Sequence, residues 1–424
     1  MITFVAKQTR MKRLLFIGAL MMATTLNAQQ ILDIVVSNTT KSTRTDQPVI
    51  VPLHDYGTVK SALVTTDGQE VACQLDDIDL DEQFDELCFL ADLDAKQKKT
   101  YTVTLFADGE PRPYPARVYA EMLMRNDKVK EKNKHNNFVS SLTVRGDCAN
   151  SYNLLHHHGV DFESELNGIR IYFDKRQTLD LYGKFQKRLE LQATQFYTQA
   201  DQKAEGYGDD VLWVGNTFGL GAFRGWDGKE PTMVDPVKNR TQRVVSYGPL
   251  RTIVEVIDQG WQLPSSKTVN MTLRYTQYAG HRDTDIDVFF NQDVSDCRFS
   301  TGIINVKGSE EFSDKQGLRA CWGTDYPSTD TVKWSRETVG LAILIPHDNI
   351  RSEEPAETNA TQQGSNYTFV VSPNGRHMAY KVAYCSNNES FGYHSANEWF
   401  AWLRQWRQEV EQPVKVSIKP RPLK

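Results

Sequence analysis

The sequence predicts a mostly β protein in which a small N-terminal β-sandwich of immunoglobulin-like type precedes a large antiparallel assembly. Short strand-like segments, separated by turn residues, recur between about residues 31 and 106. Strand patterns then dominate residues 138–382, without the regular alternation of strands and long helices that indicates a parallel sheet. One amphipathic helix is predicted near the C-terminus.

The N-terminus is typical of a signal peptide. Lys12 and Arg13 precede an apolar run, residues 14–26, and Leu26-Asn27-Ala28 offers a small-residue cleavage site. The run is shorter than the roughly 20 residues that a permanent membrane helix needs. We therefore expect residues 1–28 to be removed after Ala28 and the protein to be exported to a bacterial periplasm; a buried first helix is the alternative.

The charge of the chain bears on its partners. The net charge is −5, and removal of the leader would take away Lys7, Arg10, Lys12 and Arg13 and no acid, which leaves −9. A mildly acidic surface disfavours nucleic acid or anionic membranes as partners. No later stretch is apolar enough to cross a bilayer. We expect neither nucleic-acid binding nor membrane insertion.

The chain is too long for one ordinary core, so two domains are expected. The closely spaced prolines of residues 111–115 resist regular structure and are typical of a linker. We place the β-sandwich at residues 29–115 and the larger domain at residues 116–424.

A C-terminal helix is predicted from its capping and its periodicity. Ser395 and Glu398 fit a capping box, in which each side chain satisfies a free backbone donor. Apolar residues follow at helical spacing: Trp399, Trp402, Leu403, Trp406 and Val410. Core packing explains these tryptophans better than a sugar-binding platform does.

The cysteines do not indicate a metal site, because none forms a CxxC pair. The six are Cys73, Cys88, Cys148, Cys297, Cys321 and Cys385. Export would permit a disulfide between Cys73 and Cys88 if they lie on adjacent strands. Buried free thiols are slightly favoured.

The richest chemistry lies in residues 156–184. Three consecutive histidines lead into a strand on which Arg170, Tyr172, Asp174 and Arg176 alternate with apolar residues and therefore share one face. Arginine forks match carboxylates, and histidine can act as an acid or a base near neutral pH. A groove for polar or anionic ligands is favoured over a solvated outer face.

A second charged strand carries His281, Asp283, Asp285 and Asp287 on one face. Three neighbouring carboxylates could hold Ca²⁺ or raise the pKa of one member, and plain solvent exposure is an equal alternative. We expect the histidine triplet and both charged strands to surround one hollow of the larger domain.

A structural Ca²⁺ is a weaker expectation in the acidic loop of Asp77, Asp79, Asp81 and Asp85, which lacks the turn glycine and closing glutamate of an EF-hand. No cofactor is expected to be required. The chain has no GxSxG, P-loop, dinucleotide fingerprint or HExxH motif, so those reaction classes lose support.

Several long stretches resemble one bacterial family of unknown function, DUF4861. The matching segments are LLHHHGVDFESELNGIRIYFDKRQTLDLYGK, GYGDDVLWVGNTFGLGAF, VVSYGPLRTIVEV and YAGHRDTDIDVFFN, with VSNTTKSTRTDQPVIVPL and DELCFLADLDAKQKKTYTV nearer the N-terminus. The resemblance implies a second domain like the supersandwich of galactose mutarotases and several polysaccharide lyases, and a place in bacterial glycan utilisation. No established reaction comes with it, and fold analogy cannot supply one.

The family pattern maps best onto a limited set of positions: His157, His158, Gly159, Glu163, Glu165, Arg170, Tyr172, Asp180, Tyr182, Gly183, Lys184, Asp210, Gly248, Pro249 and Arg251. From these and the charged strands we take candidate catalytic residues, which are His157, His158, Glu163, Glu165, Tyr172 and Asp210. Candidate substrate-binding residues are Arg170, Arg176, Tyr182, Lys184, Trp213, Arg251 and His281. Asp77, Asp79 and Asp81 are the metal candidates.

The resemblance implies a place beside enzymes that act on pectin-like or other uronate-rich polysaccharides. Together with these residues, it favours a periplasmic enzyme that acts on uronate-containing oligosaccharides. In a lyase, Arg170 or Arg251 would neutralise the substrate carboxylate, and His158 and Tyr172 would share the proton transfers. In a glycoside hydrolase, Glu163 or Glu165 would pair with Asp210 as acid and base. The alternative is a non-catalytic glycan-binding or mutarotase-like protein.

Overall fold

The computed structural model describes residues 28–125, 137–146, 153–356 and 364–421. The predicted signal peptide, apart from Ala28, and Cys148 lie outside these ranges. Within them, no helix combines the length and the apolar character needed to span a membrane.

The N-terminal unit consists of two facing sheets. Its strands are β1 (Ala28–Ser37), β2 (Arg44–Pro52), β3 (Ser61–Thr66), β4 (Gln69–Val71), β5 (Cys73–Asp76), β6 (Glu86–Leu93) and β7 (Lys98–Phe106). Strands β1, β7, β3 and β4 form one sheet, and β2, β6 and β5 form the other. Alternate residues such as Leu32, Ile34 and Val36 point inward and build a core of their own.

The rest of the chain adds twenty strands and three helices to the described part. They are β8 (Val118–Glu121), β9 (Ser141–Arg145), β10 (Gly159–Ser164), β11 (Gly168–Tyr172), β12 (Leu179–Gly183), α1 (Leu191–Thr194), α2 (Ala200–Ala204), β13 (Asp209–Asp210), β14 (Arg224–Trp226), β15 (Pro231–Thr232), β16 (Asn239–Tyr247), β17 (Arg251–Gln262), β18 (Thr268–Tyr278), β19 (Asp283–Phe290), β20 (Phe299–Ile304), β21 (Glu310–Ser313), β22 (Leu318–Asp325), β23 (Glu337–Leu344), a 3-10 turn (His347–Asn349), β24 (Ile350–Glu353), β25 (Asn366–Val371), β26 (His377–Ser386), α3 (Ala396–Glu411) and β27 (Lys415–Arg421).

A nine-stranded antiparallel sheet is the centre of this larger part. Its order is β21-β22-β23-β26-β19-β18-β17-β16-β9. Two five-stranded sheets cover one of its faces: the order β13-β12-β11-β10-β8, which we call the site sheet, and the order β15-β14-β20-β25-β24. Strand β10 packs on β16, β17 and β18, while β20 packs on β23. The predicted mostly β, antiparallel architecture is confirmed.

Helix α3 covers the opposite face of the nine-stranded sheet. The Ser395 hydroxyl accepts a hydrogen bond from the Glu398 backbone N–H, and Glu398 accepts one from the backbone N–H of His394. Trp399 and Leu403 are fully buried against residues of β22 and β23. The tryptophans of this helix therefore pack the core, as their spacing predicts.

The last strand returns to the first. Strand β27 pairs antiparallel with β1, with Ile418 opposite Ile34, and so extends the N-terminal sheet. The domain division at residue 115 stays a prediction. The pairing shows that the C-terminal residues belong to the sheet of the N-terminal unit.

The cysteines in the described part are all free thiols. Strands β5 and β6 are adjacent as expected, but Cys73 lies opposite Phe89, and Cys88 lies opposite Gln74. A register offset of one residue sends the two sulfurs to opposite faces of the sheet, which prevents a disulfide. Burial raises the pKa of Cys88 to about 12, so this thiol is unreactive at neutral pH.

Replacing Trp399 tests the packing of α3. Trp399→Ala should lower the free energy of unfolding by about 3–5 kcal/mol, because a fully buried indole leaves a cavity. The same substitution at Trp213, whose side chain is 50% exposed, should change it by only about 0.5 kcal/mol. Denaturant titration measures both values, and equal losses would contradict the assigned packing.

Candidate functional site

The outer face of the site sheet carries a line of charged side chains. Register places Glu121, Asp161, Arg170 and Asp180 directly opposite one another on β8, β10, β11 and β12. Residues directly opposite in antiparallel strands share a face. All four side chains are buried. The face that points toward the nine-stranded sheet is apolar, with Phe162 and Ile171 among its residues.

At one end of this line, His157 meets the two carboxylates of Glu121 and Asp161. Its Nε2 lies 3.5 Å from Glu121 Oε1 and 3.4 Å from Asp161 Oδ2, and all three side chains are inaccessible to solvent. Tyr119 donates a 2.6 Å hydrogen bond to the other Glu121 oxygen. Burial and the negative charge of Glu121 raise the pKa of Asp161 well above its usual range. An imidazole and two carboxylates are a donor set that can hold a metal ion.

At the other end, Arg170 connects four groups. Its Nη2 lies 2.6 Å from Asp180 and 3.1 Å from Asp210, and its Nη1 donates to the Tyr197 hydroxyl at 3.1 Å. Tyr172 donates to Asp180 at 2.6 Å. Burial and Asp180 hold the pKa of Tyr172 well above 10, so its hydroxyl stays protonated. Burial and Asp180 also raise the pKa of Asp210 well above its usual value.

The half-exposed groups beside this line are aromatic. The His158 ring lies 6.3 Å from the Tyr172 ring and 6.4 Å from the Tyr197 ring, both edge-on. The His156 ring lies 5.9 Å from that of Tyr197. Two imidazoles and a phenol are thus partly exposed in this cluster, as is the Asp210 carboxylate, whereas Glu121, Asp161 and Asp180 are buried.

Arg176 and Trp213 extend the cluster. The Arg176 guanidinium stacks on Tyr172 at 4.8 Å, pairs with Asp174, and donates to the Gly215 carbonyl at 3.3 Å. Gly215 follows the half-exposed Trp213 by two residues. A partly exposed cation therefore lies beside Tyr172, whose ring is next to that of His158, and an exposed indole lies two residues from the carbonyl that this cation binds.

The backbone after the triplet fixes where the histidines point. His158 adopts a left-handed conformation with φ of +71°, and its carbonyl accepts a 2.8 Å hydrogen bond from the Phe173 N–H. A Cβ at Gly159 would lie only 1.7 Å from the Ile171 carbonyl oxygen. Only glycine permits this approach. Gly159 is therefore required for the backbone position of the three histidines that precede it.

Glu163 and Lys184 form a buried ion pair beside the line. Lys184 Nζ lies 2.5 Å from Glu163 and also donates to the carbonyls of Ser164 and Arg188. Glu163 accepts from the backbone N–H groups of Glu190 and Leu191, where α1 begins. Glu163 was predicted to be catalytic and Lys184 to bind substrate. Their contacts instead hold residues 188–191 against the site sheet.

Tyr182 also contacts the segment that lies over the site sheet. Its hydroxyl oxygen lies 2.8 Å from the Gly208 carbonyl oxygen and 3.1 Å from a Glu190 carboxylate oxygen, either of which can accept its one hydrogen. Its ring packs on Phe196 and Leu191. Predicted to bind substrate, it is fully buried under residues 190–208. It supports the layer that covers the sheet.

Three other candidates contact the N-terminal unit instead. Glu165 accepts from Arg117, which also pairs with Asp46. Arg251 pairs with Asp76 and Glu86 of β5 and β6. The His281 ring lies 2.8 Å from the Asp46 carbonyl oxygen and 3.1 Å from Asp283. These side chains hold the two parts of the molecule together.

The two charged strands do not surround one hollow, so that expectation was wrong. Asp283 lies opposite Ala383, which packs under α3, whereas the site sheet covers the other face of the nine-stranded sheet. Strand alternation sends Ile286 and Val288 toward the site sheet and the aspartates away from it. Lys381 pairs with Asp285, which offsets the clustered negative charge.

His281, Asp283 and Asp285 line a separate hollow of about 700 Å³ between the two parts of the chain. Arg44 and Thr45 enter it from β2, and Tyr393 and Trp402 enter it from the region of α3. This hollow contains none of the histidine triplet.

The acidic loop has internal partners for its carboxylates. Asp77 accepts hydrogen bonds from the backbone N–H groups of Leu80, Asp81 and Glu82. Asp77, Asp79 and Asp85 approach one another, while Asp81 is not part of that group. Calcium in this loop stays a prediction.

Sequence reasoning omitted four residues of the cluster from the site: Glu121, Asp161, Asp180 and Tyr197. Asp161 shares a strand face with Glu163, and Asp180 shares one with Tyr182, so alternation alone could have found both. Tyr119 and Glu121 likewise alternate with buried Val118 and Ala120. Tyr197 belongs to residues 188–208, which lie over the site sheet and which we call the covering segment. The sequence offers no such signal for it.

Removing the Lys184 charge tests its structural role. Lys184→Met should cost about 3–5 kcal/mol of unfolding free energy, because it leaves Glu163 buried without its partner. The double variant with Glu163→Gln should recover most of the loss. Lys203→Met, at a pair whose lysine is 47% exposed, should cost under about 1 kcal/mol. A loss at Lys184 as small as that at Lys203 would contradict the assignment.

His281 should make stability depend on pH. Burial alone would lower the pKa of His281, but hydrogen bonding to Asp283 outweighs burial and raises it. The stabilisation is therefore complete below the unfolded value of about 6.5 and is lost as pH rises through the folded pKa. The melting temperatures of wild type and His281→Gln should differ most near pH 6 and converge at alkaline pH. A difference that grows with pH would refute this.

Comparisons with known proteins identify the family. Two solved structures are similar to this chain at low identity: a glycosyl hydrolase family 38 protein from Enterococcus faecalis (10% identity, TM-score 0.47) and an alpha-mannosidase from Enterococcus faecalis V583 (11% identity, TM-score 0.46). Each match covers 92% of this chain but only 47% and 46%, respectively, of the larger protein, so the chain spans about half the length of these structures. No match is found among curated proteins. Residues 36–416 match the domain of unknown function DUF4861, and the chain belongs to that family.

Proposed function

We propose that this chain is an exported, periplasmic, carbohydrate-active enzyme that cleaves uronate-containing oligosaccharides, by β-elimination in the version that the geometry favours. The observation that carries the proposal is the set of partly exposed side chains at the edge of the buried line. His156, His158 and Tyr197 meet there, while Asp161, Asp180 and Glu163 are buried. Imidazole and phenol groups are suited to moving a proton to and from a sugar ring.

In this mechanism His158 removes the proton next to the substrate carboxylate, and Tyr197 assists the departing oxygen. Arg170 donates to the Tyr197 hydroxyl and so fixes its position beside His158. Tyr172 acts as a positioning residue, because its own proton is held by Asp180. Arg176, with 20% of its side chain exposed, is the cation that meets the substrate carboxylate.

Hydrolysis is the second candidate and rests on Asp210. Burial and Asp180 raise the pKa of Asp210, which is the direction that a general acid requires, and part of its side chain reaches solvent. Non-catalytic glycan binding is the third, and the exposed Trp213 favours it, since indole faces stack on sugar rings. With these functions we also assign the N-terminal unit to the immunoglobulin-like class and the larger part to the mutarotase-like supersandwich.

Substitution of His158 tests the proposal. Asparagine is the replacement of choice because it tolerates the left-handed backbone at this position. His158→Asn should lower turnover by about 10²–10⁴-fold while leaving the melting temperature unchanged. His54→Asn, at a histidine whose side chain is 74% exposed, should leave turnover unaffected.

The assay uses pectic, alginate and glycosaminoglycan oligosaccharides. Ultraviolet absorbance from a new conjugated uronate indicates a lyase, and new reducing ends without it indicate a hydrolase. Binding without turnover would replace the enzyme proposal with the glycan-binding one. Full activity in His158→Asn would remove His158 from the mechanism.

A further inference from the structure

The cluster of Glu121, His157 and Asp161 has an unusual hydrogen-bonding state. Among the described residues, neither His157 nitrogen has a hydrogen-bond partner, and neither do the two Asp161 oxygens or Glu121 Oε1. All three side chains are completely inaccessible to solvent. Buried polar atoms are nearly always satisfied, and an unpaired buried carboxylate is strongly unfavourable. Five such atoms in one place indicate that a further group belongs there.

The three side chains are also held as a set. Glu121 comes from β8, His157 from the loop of residues 156–158, which we call the histidine loop, and Asp161 from β10. The Tyr119 hydroxyl donates a hydrogen bond to Glu121 Oε2, and Glu121 Oε1 faces His157. A second partner that orients a ligand in this way is typical of metal sites. Three of the unsatisfied atoms, one from each side chain, lie close together: His157 Nε2, Asp161 Oδ2 and Glu121 Oε1.

We propose that Glu121, His157 and Asp161 bind a divalent transition-metal cation of the zinc class. His157 Nε2 lies 3.5 Å and 3.4 Å from the two carboxylates and makes a hydrogen bond to neither of them. These separations match the roughly 3.4 Å between tetrahedral ligands whose bonds to zinc are about 2.0–2.2 Å long. Imidazole suits zinc, whereas Ca²⁺ and Mg²⁺ take oxygen ligands.

Charge supports the same conclusion. Asp161 lies opposite both Glu121 and Arg170, but Arg170 is already paired with Asp180 and Asp210. Lys184 is committed to Glu163. A divalent cation would offset the two carboxylates that these side chains leave without a counter-charge.

The cation would fix the loop that presents the candidate acid–base histidines. His157 lies between His156 and His158, whose rings contact Tyr197 and Tyr172. Anchoring His157 to β8 and β10 therefore holds both neighbours in place. In the described part of the chain no fourth His, Cys, Asp or Glu joins the group. Because all three side chains are inaccessible to solvent, an enclosed water molecule would take the fourth position of a tetrahedral ion.

The test measures metal directly and needs no substrate. The mature protein, purified without chelator, should contain one zinc per chain by mass spectrometry of the elements. Chelator-treated protein should take up Co²⁺ with the visible absorption of a tetrahedral site, and Zn²⁺ should raise its melting temperature. Hydrogen exchange in residues 153–158 should slow on reloading.

Variants locate the site. Asp161→Asn keeps the shape of the side chain, and it should abolish zinc content and the response of the melting temperature to Zn²⁺. Asp79→Asn, in the exposed acidic loop, should change neither. If Asp161→Asn does not fold, the wild-type Co²⁺ spectrum decides: tetrahedral bands support the site, and their absence overturns it.

Two results would overturn the inference. One is wild-type protein that binds neither Zn²⁺ nor Co²⁺, and the other is metal binding that survives Asp161→Asn but is lost in Asp79→Asn. Because metal content is measured without turnover, an inactive protein that holds zinc would refute only the enzyme proposal. An active protein without metal would refute only this one.

Discussion

The buried line of charge across the site sheet is the constraint on which the rest of this region depends. Three carboxylates and one guanidinium lie side by side on neighbouring strands, out of contact with water. Burying ionised groups is unfavourable unless each is paired and hydrogen-bonded. Arg170 satisfies the Asp180 end together with Asp210, Tyr172 and Tyr197. The Glu121 end has no such partner among the described side chains, which makes it the place where a cation is needed.

The covering segment determines which groups remain accessible. Residues 188–208 lie over the sheet because Glu163 and Lys184 hold their beginning and Tyr182 holds their end. Glu190 adds to this through Arg188 and the Gly208 N–H. The layer buries the carboxylates of the sheet and leaves the histidine loop and Tyr197 at the edge. The Glu163–Lys184 ion pair thus helps to determine which side chains ligands can reach, although neither of its residues is one of those side chains.

Strand alternation made much of the face predictable. The sequence pattern correctly separated Arg170 and Tyr172 from Ile169 and Ile171, and it correctly predicted the buried face of α3. It could not show which strands become neighbours. Glu121 reaches Asp161 only because β8, some forty residues earlier, pairs with β10. The same limit led to the wrong grouping of β19 with the histidines, since each strand presents a charged face and only packing determines where that face points.

The hydrogen bonds and ion pairs of Arg170 also prevent it from acting as the receptor of a substrate carboxylate. A guanidinium that serves as receptor for a substrate carboxylate must have donors that the protein leaves for the ligand. Arg170 instead donates to Asp180, Asp210, Tyr172 and Tyr197 and is almost fully buried. Its effect on a substrate is therefore indirect, through the position of the Tyr197 hydroxyl. Neutralisation of a uronate then falls to the more exposed Arg176. The proposed cation at the other end of the line would lie out of reach of solvent, so its part is structural. It would balance the charge of Glu121 and Asp161, and it would also hold residues 156–158, which carry the acid–base histidine.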